Sequence, residues 1–162
     1  MRLSGGCTLW LDEGGRWTVR AVVLHGEHTG SEMSKSVLVV DDAAFMRMML
    51  RDILDGAGYT VHEAVDAADA VAKYRSTSPD LVTMDVTLPG VDGIQAIRAI
   101  RQADPSARVL VVSALGETRV VQEALDAGAL GYLVKPFQPD KVVELVRACI
   151  GAAPPGPRQT RS

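Results

Sequence analysis

Residues 36–151 are expected to form an α/β domain: a doubly wound, five-stranded parallel sheet flanked by five helices. Three observations predict it. Short apolar runs rich in Val, Ile and Leu recur along the chain, each of strand length and too continuous for a strand wetted on one face. Segments with apolar residues at helical spacing stand between them. The links are short, and such units close as right-handed crossovers that place helices on both faces of a parallel sheet.

The first strand is Ser36-Val37-Leu38-Val39-Val40, which stops at two adjacent acids, Asp41-Asp42. The first helix runs from about Ala43 to Asp55, with Met46, Met49, Leu50, Ile53 and Leu54 on one face and Gly56 or Gly58 to end it. Tyr59 to Ala64 is the second strand. Asp66 is placed to cap a second helix from Ala67 to Arg75, and Ser78-Pro79 breaks the chain after it. Asp80 to Met84 is the third strand and ends at Asp85. A turn at Leu88-Pro89-Gly90 leads to a helix through Ile94, Ile97 and Ile100, which Asp104-Pro105 ends. Arg108 to Val112 is the fourth strand and ends at Ser113; Glu117 to Ala127 is a helix closed by Gly128. Leu130 to Val134 is the fifth strand and ends at Lys135-Pro136. Pro139, at a first helical position, opens a last helix that runs to about Ile150, and Gly151 closes it.

The flanks differ in texture. Residues 1–35 are expected to be a poorly ordered N-terminal extension, although Leu9-Trp10-Leu11 and Trp17-Thr18-Val19 flank a turn and could pair as a hairpin. Met33 offers a natural start, so translation from Met33 is the alternative to a longer chain. Residues 152–162 are Pro-rich and basic, and are expected to be a disordered tail.

The bulk numbers exclude several classes. With 162 residues and 47% apolar content, the chain has material for one real core. A net charge of -3 gives no electrostatic footprint for nucleic acid. Cys7 and Cys149 make no disulfide framework, and His25, His28 and His62 no metal-ligand spacing. No run reaches membrane-spanning length and no secretory leader is legible, so the protein is expected to be cytoplasmic.

The polar groups at the strand ends point to chemistry. Ligands on doubly wound sheets bind beyond the carboxyl ends of the strands, near the point where strand order reverses. Asp41 and Asp42 end the first strand, Asp85 the third, Ser113 the fourth and Lys135 the fifth. Taken alone, Asp41 or Asp42 is equally well read as the cap of the following helix. Four strands each ending in a reactive group at one edge favours a site instead. Three converging carboxylates suit Mg2+, which takes oxygen ligands. An Asp is also a nucleophile able to form an aspartyl-phosphate, and Lys135 supplies positive charge for a phosphoryl group. There is no GxxxxGK[ST] phosphate loop, so a nucleotide is not the obvious phosphoryl source.

Val37–Asp42, Met84-Asp85 with Leu88-Pro89-Gly90-Val91-Asp92-Gly93, Val111-Val112-Ser113-Ala114 and Gly131-Tyr132-Leu133-Val134-Lys135-Pro136-Phe137 resemble, in order, the motifs of the response-regulator receiver domain. The resemblance covers roughly residues 36–150 and is nearest to the stand-alone, CheY-like chemotaxis kind, with its flavodoxin-like fold. It implies a single-domain regulator of a two-component system rather than a conventional enzyme. Asp85 is then the phosphoacceptor for a histidine kinase or histidine phosphotransfer domain, with Lys135 and Ser113 contacting the phosphoryl group. Asp42, Asp85 and the backbone carbonyl of Thr87 are the implied Mg2+ ligands, with Asp41 acting mainly through a water. Ser113 and Tyr132 are the implied switch pair, the Tyr132 ring turning inward on phosphorylation, and the bond to Pro136 is expected to be cis. The implied output is binding to a downstream target such as a flagellar switch protein. A phosphorelay carrier and a phosphate-independent scaffold are the alternatives, and the complete acid set argues against the scaffold. The residues after Ile150 are too few for a helix-turn-helix. Phe45 and Met48 lie off the apolar face of the first helix and are candidates for docking the kinase's phosphotransfer helix.

Overall fold

The computed structural model describes residues 7–11, 17–21, 35–88 and 92–151. Twelve elements follow in order: β1 (Cys7–Leu11), β2 (Trp17–Ala21), β3 (Ser36–Val40), α1 (Ala44–Gly56), β4 (Thr60–Ala64), α2 (Ala67–Thr77), β5 (Leu81–Met84), α3 (Gly93–Ala103), β6 (Val109–Ser113), α4 (Thr118–Asp126), β7 (Gly131–Val134) and α5 (Pro139–Gly151). The five strands from β3 onward form one parallel sheet in the order β4-β3-β5-β6-β7, flanked by the five helices.

This order explains the layers. The chain steps from β3 to β4 on one side, then returns past β3 to β5, β6 and β7. Right-handed crossovers therefore put α1 on one face and α2, α3 and α4 on the other. Accordingly α2 packs on α3 and α3 on α4, while α5 joins α1. The reversal of order lies between β3 and β5, which are hydrogen-bonded neighbours, so their carboxyl ends open at the switch point.

The strands are buried because both faces are covered. Val37, Leu38, Val39, Leu81, Val82, Leu110 and Val111 are all fully enclosed, and each side chain of that size contributes about 1.5–3 kcal/mol on burial. Against them α1 turns Leu50 and Leu54, α3 turns Ile97 and Ile100, and α5 turns Val142, Leu145, Val146 and Cys149.

Local chemistry sets the helix ends. The Asp66 carboxylate accepts from the Asp69 amide at 2.8 Å, as the N-cap of α2 should. Asp92 plays the same part for α3, accepting from the Ile94 amide at 3.0 Å. Gly58 and Gly128 follow α1 and α4 at φ 93° and 110°, a region only glycine enters freely. Ser78 closes α2 in the same region, at φ 45°, directly before Pro79.

The expected N-terminal pairing is present as backbone: β1 and β2 pair antiparallel, with Leu9 opposite Val19, and β2 runs beside β7 and α5. Met33 and the tail from 152 lie outside the described residues, as do Pro89, Gly90 and Val91. Among the described residues no helix is long and apolar enough to cross a membrane.

Candidate functional site

The sheet's own ladder carries the reactive groups into one pocket. Past the last residue of β3, the Asp41 amide donates to the Ala64 carbonyl at 3.2 Å. Past β5, the Asp85 amide donates to the Val40 carbonyl at 3.0 Å. Past β7, the Lys135 amide donates to the Ser113 carbonyl at 2.8 Å. Each functional residue is thus one further rung of a parallel sheet, and its backbone is as fixed as the strand before it.

The side chains converge. Lys135 Nζ lies 2.7 Å from Asp41 Oδ2 and 3.1 Å from Asp85 Oδ2. Asp41 is 1% exposed and Asp85 4%. The second oxygen of each carboxylate is also held: Asp41 Oδ1 accepts from the Ala43 amide at 2.9 Å. Asp85 Oδ1 accepts from the Thr87 amide at 2.8 Å and from the Thr87 hydroxyl at 2.7 Å. Asp42 is exposed, and one oxygen from each of Asp41, Asp42 and Asp85 lies within 4.8 Å of the others. Neither Asp41 nor Asp42 caps α1, whose N-cap, Ala43, has no side-chain cap bond. The cap alternative therefore falls away.

The environment divides the two buried acids. Burial is the largest influence on both. For Asp41 it prevails over the bonds from Lys135 and Ala43, and the carboxyl sits above the usual value. For Asp85 the hydroxyl and amide of Thr87, joined by Lys135, outweigh burial and hold the carboxyl below it. Asp85 is thus the better prepared anion. Burial would lower Lys135, but its bonds to Asp41 and Asp85 more than offset this and keep it a cation.

The donor set fits a hard divalent cation. It holds three carboxylates, of which Lys135 spans only two, and it leaves Asp42 with no protein donor among the described residues. Oxygen-only donors are those that Mg2+ takes.

Ser113 is wholly buried at the end of β6, and its Oγ accepts from the Leu115 amide at 3.2 Å. Tyr132 is wholly buried. Its hydroxyl donates to the Leu115 carbonyl. Both members of the expected switch pair thus grip one residue of the loop after β6. The Lys135–Pro136 bond is cis, as the resemblance implies. Phe45 and Met48 are 65% and 52% exposed.

Three further features are not singled out by the sequence. Val65 and Leu115 are also exposed apolar residues, and each follows a strand end on the same edge as Phe45. Gly93 begins α3 against the loop that carries Asp85, where a Cβ would stand 2.2 Å from the Asp85 carbonyl oxygen and 2.6 Å from Val86 Cα. Arg47 donates to the Asp41 carbonyl at 2.7 Å. Gly93 lies in a quoted motif, so its identity is visible in the sequence, but the clash it avoids is not.

The family model for the response regulator receiver domain matches residues 37–147, and the chain belongs to that family. Its likeness within the family is to chemotaxis proteins, which places it in two-component signalling of the chemotaxis type. It is 55% identical to the chemotaxis protein CheY of Thermotoga maritima over 113 residues, covering 69% of this chain and 94% of that one. It is 51% identical to the CheY of Bacillus subtilis over 115 residues, covering 70% and 96%. A solved CheX-CheY-BeF3-Mg+2 complex from Borrelia burgdorferi matches at 37% identity and a TM-score of 0.68, covering 70% of this chain and 87% of that one.

Gly93→Ala is expected to lower stability by more than the ~1–3 kcal/mol of ordinary overpacking, because the obstruction is backbone. Urea unfolding measures this; an unchanged midpoint would show that α3 does not brace the Asp85 loop.

Proposed function

We propose that this chain is a phospho-switched signalling module in which Asp85 accepts a phosphoryl group from a phosphohistidine. The observation that carries this is the Lys135 ammonium lying between Asp41 and Asp85, with the second Asp85 oxygen held by the amide and hydroxyl of Thr87.

In the step, an Asp85 carboxylate oxygen attacks phosphorus. A P–O bond forms, the P–N bond to the donor imidazole breaks, and the imidazole, already protonated at its other ring nitrogen in the phosphohistidine, leaves as the neutral ring with the electron pair of the broken bond. Lys135 then has a doubly charged neighbour in place of a carboxylate and holds it. Asp42, Asp85 and the Thr87 carbonyl would hold Mg2+, with Asp41, occupied by Lys135 and Ala43, acting at one remove. When bound, the cation neutralises charge on the transferring phosphoryl oxygens. The Thr87 amide and hydroxyl orient the acceptor, and the short path from solvent at Asp42 admits the donor.

The switch follows from what Ser113 holds. Phosphorylation adds nearly two negative charges and strong acceptors. A Ser113 hydroxyl that turns to donate to the phosphoryl group gives up the Leu115 amide. The loop after β6 then rests on Tyr132 alone, and the pair biases it between two arrangements. A target that prefers one of them binds more tightly. The solved complex of CheX with CheY, BeF3 and Mg2+ from Borrelia burgdorferi supports a partner-binding role here. A cytoplasmic setting, with a histidine kinase upstream and a target such as a flagellar switch protein downstream, is consistent with this.

Phe45, Met48, Val65 and Leu115 are exposed apolar residues that follow strand ends or open α1, and Phe45 and Met48 lie one turn apart on α1. Read together as an apolar rim, they suit the helix that presents the phosphohistidine.

Two outcomes test the proposal. With Mg2+ and labelled acetyl phosphate the chain is expected to take up acid-stable, base-labile label, and Asp85→Asn to take up none; equal labelling of the variant would remove Asp85 as acceptor. Phe45→Glu is expected to slow transfer from a phosphorylated kinase at least tenfold, since one interface anchor is worth about 2 kcal/mol or more, while transfer from acetyl phosphate keeps its rate. Equal slowing with both donors would place Phe45 in the pocket's chemistry and not in docking.

A further inference from the structure

Asp41 and Asp85 are each held at both carboxylate oxygens by protein donors, but Asp42 is held at neither among the described residues. An exposed carboxylate without a partner is oriented only by its backbone. That backbone is pinned at the peptide joining Asp41 to Asp42, whose carbonyl oxygen accepts from Arg47 Nη1 at 2.7 Å.

Arg47 is itself fixed from the other side. It sits in the first turns of α1, its side chain only 15% exposed, with Nε 3.4 Å from Glu63 Oε1 on β4. The planar guanidinium reaches both partners from one rigid fork, which a flexible ammonium does not reproduce. Arg51, one turn further along α1, bonds the other Glu63 oxygen at 2.9 Å and does not reach the acidic loop.

We propose that Arg47 is a positioning residue for the cation site: by clamping the Asp41–Asp42 peptide to Glu63 on the edge strand, it aims the otherwise unheld Asp42 carboxylate. The inference rests on the proposed Mg2+ role of Asp42. It also runs against simple electrostatics, which gives it a distinctive sign. Removing a positive charge beside a cation site should tighten Mg2+. Removing the clamp should weaken it, because groups that orient metal ligands typically account for about 10- to 100-fold in affinity.

The test is a calorimetric Mg2+ titration of the full chain. Arg47→Met is expected to raise the Mg2+ Kd about tenfold, and Arg51→Met, which removes the same charge from the same Glu63, to leave it at or slightly below the wild-type value. At saturating Mg2+, labelling of the Arg47→Met chain by acetyl phosphate returns to near the wild-type rate, a split that general loss of structure does not produce. If Arg47→Met does not fold, Arg47→Lys, which keeps the positive charge but loses the planar fork, is expected to weaken Mg2+ in the same direction. Tighter or unchanged binding in the folded clamp variant, or equal weakening in Arg51→Met, would overturn the inference while leaving the Mg2+ site standing. A wild-type chain that binds no Mg2+ would overturn the proposed site and the clamp with it.

Discussion

The structure turns on an imbalance of charge at one sheet edge. Three carboxylates have oxygens within 4.8 Å of one another, and a single ammonium lies between two of them. At that spacing, and at the effective dielectric of a partly buried site, each pair of ionised acids repels by about 3 kcal/mol. Lys135 offsets part of this, and the Thr87 and Ala43 donors another part. What is left favours positive charge and a reaction that rearranges negative charge, and the proposed cation binding and phosphoryl acceptance both draw on it.

A parallel sheet is well suited to hold such a cluster. Asp41, Asp85 and Lys135 come from three strands, and each is carried by the rung that follows its strand's last regular residue. Moving any of them means breaking a ladder bond inside a closed core. The loop that carries Asp85 is braced in addition by α3, which approaches so closely that only a glycine fits at its start. The output side is built differently. The loop after β6 is held by two bonds at Leu115, whose amide donates to the Ser113 hydroxyl and whose carbonyl accepts from Tyr132. Rigid acids beside a lightly held loop are the physical ingredients of a switch.

Much of this was legible in the residues. The fold followed from apolar runs of strand length alternating with helical periodicity, and the strand ends of Asp41, Asp85, Ser113 and Lys135 were visible as abrupt stops in those runs. Helix and strand bounds shifted by a residue or two, as with α2, which continues to Thr77 until Ser78 takes the left-handed turn. The burial of Tyr132 was not legible, because an aromatic on an edge strand faces either solvent or core depending on what covers it. Nor were the Arg47 clamp and the Gly93 contact. Both join segments far apart in sequence through backbone atoms, which carry no residue identity. The apolar rim was half visible: Phe45 and Met48 break the helical pattern of α1, whereas Val65 and Leu115 sit in loops that have no pattern to break.

If these acids hold a Mg2+ ion, stability depends on its concentration. Urea unfolding of the full chain should show a free energy that climbs logarithmically with free Mg2+, by about 2.7 kcal/mol at a hundred times the Kd. The climb should largely vanish in Asp42→Asn. A wild-type stability that stays flat across the titration, or a climb of equal size in the variant, would contradict the account.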